Sequence, residues 1–184
     1  MNAFDSEADL EHDLDFRLLI NTAVSLFHRR PVLDETTTWL AEQGYQVTIL
    51  DASSWSSEAD FHAGISEALD FPSYYGRNLD ALNDCLRDVI SHDYGWDADA
   101  TGFVLAFLGY DAFALARPGT AQTLLDIIAQ RSREAALFGH KMICLVQSND
   151  SRISFDPVGA TPVLWNDAEW PNSRRLAPQA DTGD

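Results

Sequence analysis

Apolar positions along the chain alternate between helical and extended patterns. Phe16, Leu19, Ile20, Ala23, Val24 and Phe27 recur at helical spacing, which predicts a helix ended by Arg29, Arg30 and Pro31. A second helix is expected from about Val32 to Gln43, closed by Gly44. Tyr45 to Leu50 is rich in β-branched residues and reads as a strand running into the turn-like Asp51-Ala-Ser-Ser. Phe61, Ile65 and Leu69 mark one face of a helix from about Ser57 to Leu69, with Ser57 as its cap. Tyr74-Tyr75-Gly76-Arg77-Asn78 is a turn-forming segment, and Asn78 is placed to cap a helix from Leu79 to about Ile90. Phe103 to Leu108 and Met142 to Val146 are apolar throughout, as strands covered on both faces are. A long amphipathic helix is expected between them, from Ala121 to Phe138, ended by Gly139.

Strands separated by helices imply right-handed crossovers. The expected fold class is α/β, with a three-stranded parallel sheet packed by helices, extra N-terminal helices and a C-terminal extension. The expected organisation is an acidic lead-in and helical extension over residues 1–44, a central domain over 45–150, and a C-terminal extension over 151–184. Within the last of these, Ile153-Ser-Phe and Val163-Leu-Trp suggest a short strand or hairpin, and the polar stretch from Asn172 to Asp184 suggests mobility.

Charge narrows the partner class. Twelve Lys and Arg stand against 29 Asp and Glu, a formal net charge of −17. Such a surface repels nucleic acid and anionic membrane, both of which need a basic footprint. It speeds encounter with a basic protein. No run approaches the length of a membrane span, and the acidic start has neither the basic region nor the apolar core of a secretory signal. Cys85 and Cys144 sit apart in apolar contexts and read as buried, reduced thiols, consistent with a cytoplasmic location.

The short signatures of P-loop, dinucleotide, zinc-protease and serine-hydrolase sites are missing, and the five histidines show no zinc-ligand spacing with a cysteine. What remains is one dense segment from Phe71 to Leu86. Asp80 and Asp84 are four apart and share a helix face, a spacing that costs about 0.2–0.5 kcal/mol through repulsion. Asp80 near the helix N-terminus recovers part of this through the macrodipole. Two phenol rings just ahead supply rigid contact area with polar tips. Carboxylates beside tyrosines suit a partner rich in arginine.

The segment resembles the barstar family. Its Pro-x-Tyr-Tyr-Gly-x-Asn-Leu-Asp-Ala-Leu-x-Asp-Cys-Leu pattern is matched at every fixed position from Pro72 to Leu86, and the likeness continues more loosely over about Tyr45 to Gln147. The resemblance implies a compact α/β inhibitor, without catalytic residues, metal or cofactor, that blocks the active site of a basic ribonuclease or related nuclease toxin. Carried over by position, the partner-binding residues are Tyr74, Tyr75, Gly76, Asn78, Leu79, Asp80, Asn83, Asp84 and, from the long helix, Glu134. Asp84 takes the place of a substrate phosphate, flanked by Asp80 and Glu134, with the tyrosines as apolar anchors. Three departures bear on which nuclease is bound. Asn83 stands where familiar members carry an aromatic, Arg77 puts a cation into the acidic loop, and Arg87-Asp88-Val89 alters the helix continuation. Two other readings are a regulatory or scaffold protein on the same fold, and a metal-dependent enzyme holding a hard cation with Asp80, Asp84 and Glu134.

Overall fold

The computed structural model describes residues 14–169. The expectations for residues 1–13 and for Asn172 to Asp184 lie outside them. Order along the chain is α1 (Leu14–Asn21), β1 (Val24–Phe27), α2 (Arg30–Glu42), β2 (Gln46–Asp51), a 3-10 turn (Ala52–Ser54), α3 (Glu58–Ala68), α4 (Leu79–Ile90), β3 (Phe103–Leu108), α5 (Tyr110–Ala116), α6 (Pro118–Leu137), β4 (Met142–Gln147) and β5 (Leu164–Trp165).

Among the described residues the strands form one sheet in the order β2-β3-β4-β1-β5, with every named pairing parallel. The three expected strands, β2, β3 and β4, lie side by side, and the flanking segments add two more. Alternation then sorts the core. Phe103, Leu105 and Phe107 face α3 to α6, while Val104 and Ala106 face α1 and α2 with Ile143 and Leu145. β3 and β4 are buried almost end to end, which is why they read as unbroken apolar runs.

The expected helix from Phe16 to Phe27 is the main correction. It stops at Asn21, and Val24–Phe27 is a strand buried at every position. Val24 pairs with Cys144 and Phe27 with Gln147, so β1 covers what would otherwise be the open edge of β4. Thr22 marks the change of direction, its hydroxyl donating to the carbonyls of Val24 and Pro162 at 2.9 and 2.6 Å. Arg29, Arg30 and Pro31, expected to end that helix, instead open α2, with Pro31 in the first turn.

Smaller differences follow the same logic. α6 begins at Pro118 rather than Ala121, using proline at its N-terminus. α5 was not foreseen; it is a seven-residue helix whose buried Tyr110 and Phe113 fill the core beside Trp55. Of the two tail segments, Ile153 to Phe155 forms no strand, whereas Leu164–Trp165 runs parallel to β1 as an edge. The cap at Ser57 is a reciprocal capping box with Asp60.

Candidate functional site

The segment from Phe71 to Leu86 forms a turn followed by α4. Phe71 is packed edge-on against Tyr75 and Tyr94, and the Tyr75 N–H donates to the Pro72 carbonyl at 2.9 Å. The two adjacent tyrosines, expected to act alike, have different surroundings. Tyr74 is 77% exposed, whereas Tyr75 is buried, its hydroxyl sharing a 2.5 Å hydrogen bond with Nδ1 of His62 on α3. Burial pushes the Tyr75 phenol well above its ordinary range. Burial also holds the His62 imidazole below its usual value; Glu58 opposes that shift and Arg77 adds to it.

After the tyrosines the backbone turns tightly. A Cβ on Gly76 would come within 3.2 Å of Asn78 Nδ2 and 3.3 Å of Ala81 Cβ, so the small residue lets the loop lie on the first turn of α4. Arg77 then takes a left-handed conformation, φ 49°, which costs a side-chain-bearing residue about 1 kcal/mol. Asn78 caps α4: its side-chain oxygen accepts from the Ala81 N–H at 2.8 Å.

α4 is amphipathic. Leu82, Cys85, Leu86, Val89 and Ile90 are buried, and Leu79 is half-buried against the same core. The other face carries Asp80, in the first turn, and Asp84, both exposed. Asp84 lies 3.6 Å from Arg87 across one helical turn, an exposed pair that weakly restrains the carboxylate. Asn83 is half-buried, with its Oδ1 enclosed and without a hydrogen bond. Glu134 stands on α6, which packs beside α4. It pairs with Arg131, whose guanidinium is buried and whose Nε makes no hydrogen bond.

Thus Tyr74, Asp80 and Asp84 are exposed along one turn and helix, Tyr75 and Leu82 point into the core, and Glu134 is half-buried on the neighbouring helix. Two contributors went unremarked in the sequence, His62 behind Tyr75 and Arg131 beside Glu134. The i, i+3 spacing of Arg131 and Glu134 was a visible signal for the second, and nothing local pointed to the first.

Among the described residues, no group of three or more His, Cys, Asp or Glu side chains is placed to hold a metal ion. Asp80, Asp84 and Glu134 therefore do not converge as the cation site that the enzyme reading required. No helix among these residues is long and apolar enough to cross a membrane.

Comparison with known proteins bears on the same region. A family model described as Barstar (barnase inhibitor) matches residues 45–147. A relative named "Putative ribonuclease inhibitor YrdF", from Bacillus subtilis (strain 168), is 50% identical over 38 residues. That stretch is 21% of this chain and covers 42% of the relative, less than half of its length.

Proposed function

This chain belongs to the Barstar (barnase inhibitor) family, and from that premise we propose that it binds a basic ribonuclease and occupies its active-site cleft with the acidic face of α4. The observation that carries the reading is the exposure of Asp80 and Asp84 on one face of a helix whose opposite face is buried in the core. A ribonuclease cleft holds cationic groups to stabilise phosphate charge. A carboxylate offers an arginine fork two acceptor oxygens, much as a phosphate does. Asp84 takes the central phosphate position, Asp80 and Glu134 flank it, and Tyr74 gives its exposed ring to the rim. Tyr75, Gly76 and Asn78 hold the turn in shape, while Leu79 anchors it to the core. Asn83, half-buried between the acids, lies at the margin of the contact.

In this reading the protein acts by occlusion and catalyses nothing. Its place is the cytoplasm of a cell that makes the nuclease, where it serves as an antitoxin. Residues 45–150 form the inhibitory domain, with 1–44 and 151–184 as additions to it. Arg77 and Arg87 set which nuclease is accepted, because they interrupt an otherwise anionic surface.

The test is steady-state RNA cleavage by barnase, the enzyme that the family's description names, with increasing amounts of the full chain. Stoichiometric inhibition that is competitive with RNA and weakens as salt rises supports the proposal. Inhibition that is non-competitive with RNA contradicts it.

A further inference from the structure

A cavity of about 330 Å³ lies between α1 and the C-terminal part of α6, and no residue of α4 lines it. Its two sides come from different parts of the chain. Arg133, Ala136, His140 and Lys141 belong to the family-matched stretch, whereas Leu19 and Ile20 of α1 lie outside it. The cavity thus exists through the docking of α1, which is latched by Asp15. Its carboxylate accepts from the Tyr45 hydroxyl at 2.5 Å and from Lys141 Nζ at 2.8 Å.

The lining combines alkyl surface with cations. Leu19, Ile20 and Ala136 supply the apolar wall, and Ile20 is 63% exposed. The hydroxyls nearby are already engaged: Ser132 donates to the Met142 carbonyl and Thr22 to the Pro162 carbonyl, each at 2.6 Å. Three basic side chains meet at this one place in a chain with 12 Lys and Arg against 29 acids. Lys141 is neutralised by Asp15. Arg133 donates to the neutral carbonyl of Gly159 and has no carboxylate partner among the described residues. The His140 ring packs against His92 and Trp96.

We infer that this cavity binds a small monoanionic amphiphile, a short-chain or medium-chain carboxylate whose head meets Arg133 and whose alkyl tail lies against Leu19, Ile20 and Ala136. One guanidinium without a salt bridge among the described residues matches one negative charge. The volume sits at the small end of ligand sites, roughly 300–1,000 Å³, which suits a short or medium alkyl tail and excludes a long one. Ser132 and Thr22 already donate within the fold and Lys141 is paired with Asp15, so the Arg133 guanidinium is the group that meets the ligand head. A bound ligand bridges α1 to α6 and so ties the N-terminal addition to the family domain. None of the residues lining the cavity is one assigned to the proposed ribonuclease contact, although Arg133 adjoins Glu134 in sequence.

Amide-resolved NMR titration of the full chain with sodium octanoate tests the inference, with octan-1-ol and acetate as controls for tail and charge alone. Octanoate is expected to shift the amides of Leu19, Ala136, Gly139 and Lys141 saturably, and the controls to leave them near their starting positions. Arg133→Gln, at an exposed position, is expected to weaken octanoate about three- to fivefold, the scale of one exposed charge pair, without lowering the melting temperature. Ala136→Trp, also at an exposed position, is expected to abolish the shifts by filling the cavity. The inference is overturned if octan-1-ol matches octanoate, if the shifts are unsaturable or centred elsewhere, or if both variants bind octanoate as the parent does.

Discussion

Tyr75 shows how a residue in a recognition turn can act from inside. Its hydroxyl and His62 Nδ1 satisfy one another where water has no access. Tyr75→Phe leaves the His62 nitrogen buried and unpaired, and should cost roughly 1–3 kcal/mol in urea unfolding. The same histidine sets a pH dependence. Its folded-state pKa is depressed, so below about pH 6.5 the unfolded chain takes up a proton that the folded chain refuses. Stability should therefore fall as pH falls through that window. The decline between about pH 7.5 and about pH 5.5 should be smaller in His62→Gln, measured by urea midpoints. The cysteines offer a plainer check. Both are buried, and burial pushes both thiols up, so neither should react with a thiol reagent until the protein unfolds.

At the scale of elements, α4 joins fold and function. Its cap is one side chain, and Asn78→Ala should lower stability by about 1 kcal/mol while loosening the turn that carries Tyr74. α4 was legible in the sequence because several local signals agreed: the cap at Asn78, the period of Leu82, Cys85, Leu86 and Val89, and acids on the other face. The stretch from Phe16 to Phe27 was misread for the opposite reason. Its apolar spacing fits a helix, and only the need of β4 for a neighbour turns Val24–Phe27 into a strand. That need is long-range, linking residues about 120 apart, and local periodicity does not contain it. In the candidate site, the exposed acids followed from helix spacing. The inward turn of Tyr75 did not, because its partner His62 lies on another helix.

For the whole molecule, the sheet reaches beyond the family-matched stretch at both ends. β1 sits between β4 and β5, and α1 and α2 cover Val104, Ala106, Ile143 and Leu145. A chain cut to residues 45–184 would bare that face and the β4 edge. It should lose a cooperative thermal transition and bind 1-anilinonaphthalene-8-sulfonate, as exposed cores do. The net charge of −17 has a separate consequence, since it speeds approach to a basic partner without fixing where that partner docks. Docking is assigned to Asp80 and Asp84, so their charges must matter far more than equal charges elsewhere.

That difference can be measured directly. Calorimetric titration into barnase should compare the parent chain, Asp80→Asn/Asp84→Asn, and Asp97→Asn/Asp99→Asn, which removes the same two charges from the exposed loop before β3. The account predicts that the first double variant weakens binding by at least about 30-fold, the scale of a lost hot spot, while the second stays within about threefold of the parent. Equal affinities for the two double variants would contradict it.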